Sequence, residues 1–450
     1  MYYARWATNK EFSKILTPIN PKKEVKKSGI PLMYNEPEIY IDETDNHSLI
    51  LGDTGSGKTQ AITLPLIRLS MQAEESFVVN DINGEIIEET AKDLEDNGYK
   101  IIVIDYKNPK LGNNWNPFTL SYKLYKEDNK AESIKILEKI GYYLFFEQSN
   151  IDPFWINSTI DYFTGLCLYL YENAREEEIN LSSVFALSNY INEDKNINKF
   201  LKQIDKNSNI YYNLSGTLNS PKETRGGIIA TFTEKIKKYL TNEELNNMTS
   251  SSDFDITSIN DKTAIFIISG INDYTNSLIP LFIDELINSR DNYNENKKRL
   301  NIILEEFDEL NPIKNFPKLL NYSRSLNIKF TLFIKRYKSL ENIYGKEVGE
   351  LIESSVGNTI YLWSNDIDTL EKISKLCGNT EVKNKIVPLV SVEELKTMKV
   401  FETIILKQRM MPFKTKLIPD WKIKWVKSSE KYTIPQRKEV KIKIYKYNIQ

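Results

Sequence analysis

The stretch HSLILGDTGSGKTQ, residues 47–60, restricts the fold more than any other part of the chain. An apolar strand from Ser48 to Leu51 runs straight into Gly52-Asp53-Thr54-Gly55-Ser56-Gly57-Lys58-Thr59, which has the spacing of a complete P-loop. The glycines let the backbone curl until successive N–H groups face a di- or triphosphate. Lys58 adds a point charge for the β- and γ-phosphates, and the Thr59 hydroxyl can ligate Mg²⁺. The residues that follow, QAITLPLIRLSMQ, read as a helix despite Pro65, and the positive end of its dipole faces the same anion. All eight residues from Gly52 to Thr59 are therefore assigned to nucleotide binding.

Strand, loop and helix in that order call for an α/β sheet, and the rest of the chain supplies it. Further strand-like runs occur at 76–81, 99–105, 263–269, 300–304, 328–334 and 358–363, with helical patterns between them. Such alternation predicts a mainly parallel sheet with helices on both faces. Residues 85–97 show the helical period clearly, with Gly98 at the C-cap. From 125 to 255 the strand pattern disappears, which predicts an all-helical insertion between the third and fourth strands. Its aromatics, Tyr142, Tyr143, Phe145, Phe146, Phe154, Trp155, Tyr162 and Phe163, fall at helical spacing among Ile and Leu and read as core rather than as a base-stacking surface. The organisation read from the pattern is 1–124 and 256–420 for the two parts of the nucleotide-binding domain, 125–255 for the insertion and 421–450 for a basic tail.

A chain of 450 residues can bury a core of this size without staples. Cys167 and Cys377, its two cysteines, sit in apolar helical patterns and suggest neither a disulfide framework nor a zinc site. No apolar run reaches the roughly 18 residues of a membrane span, and the start is not a signal peptide, so a cytoplasmic protein is expected, with membrane association only through a partner. The net charge of −2 makes the whole surface no magnet for nucleic acid. Residues 421–450 are the exception at +7, readable either as a solvated tail with a KIKIYKY edge strand or as a DNA or lipid contact.

A P-loop ATPase needs a second acidic site at the end of a neighbouring strand, and IILEEFDEL, residues 302–310, offers one. One carboxylate orders Mg²⁺ and its neighbour polarises the attacking water. The strand LNIIL ends at Leu304, so Glu305 becomes the metal carboxylate and Glu306 the base, while Asp308 and Glu309 fall in the next turn without a role.

Six segments then appear in order: ARWATNKEF (4–12), HSLILGDTGSGKTQ (47–60), VVNDINGEIIEET (78–90), NWNPF (114–118), EEFDEL (305–310) and PLVSVEELKTM (388–398). In this series the chain resembles the type IV secretion coupling proteins, the TraG-like conjugative DNA-transfer ATPases. The resemblance implies a RecA-like P-loop NTPase domain with an inserted all-α domain, using ATP and Mg²⁺. It further implies a hexameric ring at the cytoplasmic face of the membrane that pumps single-stranded conjugative DNA, with its relaxase, towards the secretion channel. It places an arginine finger on Arg324, with Arg225 as runner-up, and a structural or nucleobase-adjacent role on His47.

The chain departs from that family in three places. It starts at the ARWA segment, where members usually carry preceding transmembrane helices. It has Glu305-Glu306 where Asp-Glu is usual. It has Lys335 where a γ-phosphate-sensing Gln is typical. Lys335 could act as a second phosphate cation, pair with Glu305 or Glu306 and hold the site inactive, or simply follow a strand as a charged residue. Two rival functions accompany the coupling reading: a double-stranded DNA translocase of the FtsK/HerA class, and a nucleotide-gated recruitment protein that barely hydrolyses.

Overall fold

A computed structural model describes residues 3–147, 152–193, 196–259, 262–270, 272, 274–293 and 298–447. The chain forms two compact units: Met1–Ile102 with Ile259–Ile268 and Asn294–Thr433, and Val103–Ser258 with Ser269–Tyr293 and Ile434–Gln450.

The first unit opens with a small antiparallel sheet of β1 (Thr17–Ile19), β2 (Ile30–Asn35) and β3 (Glu38–Asp42), in the order β1-β3-β2. Its Ile39 and Ile41 share a core with Leu69 and Ala73 of the segment that follows the P-loop. The main sheet takes β4 (Ser48–Gly52), β5 (Ser76–Asn80), β6 (Lys100–Asp105), β7 (Thr263–Ile268), β8 (Leu300–Leu304), β9 (Ile328–Ile334) and β10 (Asn358–Trp363). A hairpin of β11 (Asn379–Val382) and β12 (Lys385–Pro388) stands apart, and β13 (Glu402–Lys407) and β14 (Phe413–Lys416) complete the main sheet. The nine strands run in the order β14-β13-β10-β4-β9-β8-β5-β7-β6.

Strands β10, β4, β9, β8, β5 and β7 pair in parallel. Every residue of β4, β5, β7, β8 and β9 is buried, as parallel strands covered on both faces require. That is why their runs are apolar without alternation and legible in the sequence. Because the strands are parallel, the P-loop after β4, Asp81 after β5, Glu305-Glu306 after β8 and Lys335 after β9 all emerge at one edge of the sheet.

The chain leaves the P-loop through a wide turn, Thr59–Thr63, in which the Leu64 N–H donates to the Thr59 carbonyl five residues back. The regular helix Leu64–Gln72 follows with Pro65 in its first turn, where a missing N–H costs least.

The second unit is built of helices, among them Lys130–Phe145, Pro153–Asn173, Lys222–Leu240 and Thr275–Tyr293. Tyr143, Phe145, Tyr162 and Phe163 are fully buried there, whereas Phe154 is exposed. Residues 434–447 belong to this unit and form no strand. The KIKIYKY edge strand is thus not formed, although the lysines from Lys438 to Lys446 are exposed. Arg437 is buried, with Nη1 donating to the Oδ1 atoms of Asn114 and Asn247 at 2.7 Å each, and Tyr447 stacks on Tyr190 at 4.4 Å. Residues 448–450 lie outside the described residues. No helix among the described residues is long and apolar enough to cross a membrane.

Candidate functional site

A cleft of about 440 Å³ opens at the edge where β4 and β8 end, lined by the P-loop, Asp81, Glu85, Glu305, Glu306, Phe401 and Trp421. The loop takes its shape from backbone that other residues adopt poorly: Gly55 has φ +82° and Gly57 φ +89°. A Cβ at Gly57 would also lie 2.6 Å from the Phe401 ring. The Lys58 ammonium turns back to donate to the carbonyls of Gly52 and Asp53. Burial lowers its pKa, while the carboxylates of Glu305 and Glu306 oppose that shift.

Residues 246 positions apart in sequence meet here. The Thr59 hydroxyl lies 3.0 Å from Oε1 and 3.2 Å from Oε2 of Glu305. The Thr63 hydroxyl donates to Glu305 Oε1 at 2.7 Å, and Asn80 Nδ2 donates to the Glu305 carbonyl at 3.0 Å. Burial raises the Glu305 pKa against the pull of the Thr63 and Thr59 hydrogen bonds and the Lys58 charge. Two oxygen donors converging beside a phosphate loop suit Mg²⁺, a hard cation that keeps much of its water and takes few protein ligands. The methylene that distinguishes Glu305 from Asp does not prevent the carboxylate from reaching Thr59.

Glu306 follows in a left-handed conformation, φ 51° and ψ 46°. This backbone costs energy in a non-glycine residue and swings Glu306 off the line of the strand. Burial and the neighbouring Glu309 carboxylate push its pKa up to about 7. Lys335 faces these two: its ammonium pairs closely with Glu309 and lies 3.7 Å from Glu306. It does not pair with Glu305 within the site's ion pairs, and it is not among the residues lining the cleft. Asp308, read from sequence as a bystander in the turn, is buried and accepts the Lys335 backbone N–H at 3.0 Å. It thereby anchors the end of β9 to the turn after β8.

Two site residues escaped the sequence reading. Thr63 carried a signal in its four-residue spacing from Thr59. Asp81 carried one in its place before Gly84 and a helix: it lines the cleft and accepts the N–H groups of Gly84 and Ile87 at 2.9 Å each, capping the helix Glu85–Asp96. Burial pushes the Asp81 carboxyl up to about 6.

The remaining candidates lie elsewhere. Arg324 ends the helix Phe316–Ser323, exposed, with its guanidinium 3.4 Å from the Ser355 carbonyl. It precedes β9 whereas the P-loop follows β4, and these strands are parallel neighbours. Seven residues at about 3.3 Å each therefore put Arg324 roughly 20 Å from its own P-loop, at the opposite edge of the sheet. Arg225 of the helical unit is tied to the carbonyls of Leu218 and Ser220. His47 is fully buried at the start of β4, bonded through Nε2 to the Leu320 carbonyl at 2.6 Å and accepting the Phe330 N–H on Nδ1 at 3.0 Å, a structural role. Both cysteines are buried in helices.

The solved structures similar to this chain include the bacterial conjugative coupling protein TrwBdeltaN70, at 14% identity and TM-score 0.71 over 98% of this chain and 96% of that one. The plasmid coupling protein TrwB in complex with the non-hydrolysable ATP analogue ADPNP matches at 15% identity and TM-score 0.69, over 97% and 96%. VirB4 of Thermoanaerobacter pseudethanolicus matches at 12% identity and TM-score 0.50, over 88% and 98%. At these identities the likeness establishes the fold. No curated protein sequence matches. The family model described as type IV secretory system conjugative DNA transfer matches residues 5–411, in agreement with the resemblance carried by the six segments. The chain therefore belongs to the type IV secretory system conjugative DNA transfer family.

Proposed function

We propose that this chain is the ATP-driven coupling protein of a conjugative system, hydrolysing ATP with Mg²⁺ to move single-stranded DNA, with its relaxase, towards the type IV secretion channel. The observation that carries the reading is the meeting of Thr59 and Glu305 across 246 residues. It joins a phosphate-binding loop to an acidic strand end in the arrangement that phosphoryl transfer needs. Thr59 and Glu305 would hold the metal, which supplies neutralisation of charge on the β- and γ-phosphates. Lys58 exchanges its loop carbonyls for phosphate oxygens. Glu306, held near neutrality in its pKa, orients and polarises the attacking water. TrwB has been solved with ADP and Mg²⁺ and with ADPNP, which agrees with the same use of the loop.

Lys335 favours a second reading, in which nucleotide gates recruitment and turnover is small. Its ammonium is engaged by Glu309 and lies beside Glu306, not in the phosphate cleft. ATP binding and turnover measured in wild type, Lys58→Ala, Glu306→Gln and Lys335→Gln separate the two. The coupling reading expects Lys58→Ala to lose binding and Glu306→Gln to bind but not turn over. A wild type that binds ATP without turnover, and gains it in Lys335→Gln, favours recruitment. Nucleotide affinity unchanged in Lys58→Ala would sink both.

A further inference from the structure

One wall of the cleft is aromatic and plays no part in the phosphate chemistry. Val400, Phe401 and Trp421 form it, beside the P-loop. Phe401 sits in the left-handed region at φ +71°, a conformation that bulky side chains rarely adopt and that marks functional sites. Its ring edge rests against Gly57, where any side chain would collide with it. Trp421 meets that ring edge to face, with centroids 5.8 Å apart and planes at 70°. Yet 58% of Trp421 remains exposed, and so does 54% of Val400.

An indole this exposed would ordinarily be free to move, but its backbone is pinned. The preceding residue, Asp420, is 1% exposed and accepts from Arg68 Nε at 2.9 Å and from Lys427 Nζ at 2.6 Å. Arg68 is equally buried, bonded also to Asp93, and lies on the helix that continues the P-loop. A buried charge network therefore holds Trp421 in fixed register with the phosphate site while its ring faces the cleft. Large apolar surface kept exposed on a rigid support indicates a ligand. Trp421 lies beyond residues 5–411, the part matched by the family, whereas Val400 and Phe401 lie within it.

We propose that Trp421, braced by Phe401, is the stacking surface for the base of the nucleoside triphosphate whose phosphates the P-loop holds. The proposal rests on the nucleotide reading above and adds to it the part of the ligand that the loop does not touch. Stacking needs a flat face and reads no base edge, so the wall supplies affinity rather than choice among bases.

The test compares ATP with inorganic tripolyphosphate, which keeps the phosphates and lacks the base. Dissociation constants of both, with Mg²⁺, are measured by calorimetry for wild type, Trp421→Ala, Trp421→Phe and Lys58→Ala. Trp421→Ala should weaken ATP about ten-fold or more and leave tripolyphosphate unchanged, and Trp421→Phe should recover most of the loss. Lys58→Ala should weaken both. ATP affinity within two-fold of wild type in Trp421→Ala, with the melting temperature intact, overturns the stacking role and leaves the P-loop reading standing. So does an equal loss for ATP and tripolyphosphate. Wild type that binds neither ligand overturns the nucleotide reading and this proposal together.

Discussion

His47 is the chain's single histidine, and the hydrogen bonds at its two ring nitrogens fix its state. Accepting on Nδ1 and donating from Nε2 requires the neutral ring, and burial, helped by the charges of Arg324 and Lys329, pushes its pKa down to about 4. The unfolded chain takes a proton near pH 6.5 while the folded chain refuses it until about pH 4. Stability contributed by this depressed pKa is thus whole above pH 6.5 and is lost as pH falls through that window. The loss should reach about 2 kcal/mol by pH 5. Carboxyls with raised pKa values, Asp81 at about 6 and Glu285 at about 8, act in the opposite sense, so the comparison must be between proteins. Denaturant unfolding at pH 7.5 and pH 5 should show wild type losing about 2 kcal/mol relative to His47→Gln. Parallel pH dependence in the two would show that the ring is not held neutral. At this scale the sequence was informative only where a residue type admits few uses. Lys58 and Thr59 were readable from the motif. The partners of Lys335 were not: the sequence offered Glu305 or Glu306, whereas the turn after β8 brings Glu309 to the ammonium, with Glu306 3.7 Å away.

The strands of the parallel core were legible because they are buried on both faces, and the ends of β4 and β8 therefore located the site. Strands β13 and β14 were not legible: they lie at an antiparallel edge, only partly buried, and their short runs match turn or helix patterns equally well. The wide turn Thr59–Thr63 was hidden for another reason. A regular helix was the natural reading of its residues, yet in the turn that forms Thr59 and Thr63 both reach the same carboxylate. Thr63 lies one hydrogen bond outside the proposed metal ligands Thr59 and Glu305 and holds the Glu305 carboxylate. Such outer partners are typically worth 10- to 100-fold in metal affinity. Thr63→Val keeps the shape and removes the hydroxyl. The magnesium concentration giving half-maximal turnover should rise about ten-fold, with the affinity for ADP in the absence of metal unchanged. If both hold steady, Glu305 is positioned by Thr59 and the backbone alone.

Arg324 is the residue through which assembly can be questioned. Lying roughly 20 Å from its own P-loop at the far edge of the sheet, Arg324 cannot complete the site of its own chain. If it is a finger, it serves a neighbour, each isolated protomer holds an incomplete site, and turnover should climb steeply with protein concentration. DNA should steepen this further, since a strand threading a ring touches several subunits and raises their effective concentration. A finger is worth about 10³ to 10⁵ in rate, which is about 4 to 7 kcal/mol of barrier at 1.36 kcal/mol per decade. Arg324→Ala and Glu306→Gln should each be inactive alone for different reasons: the first lacks what it lends, the second what it owns. Mixed together, they form some interfaces that pair an intact arginine with an intact glutamate, and activity should partly return. The mixture staying inactive while labelled subunits demonstrably exchange and wild type turns over would exclude Arg324 as the finger. Arg225 would not then inherit the role on its present geometry, because its guanidinium is tied to carbonyls of its own helical unit and would first have to be released.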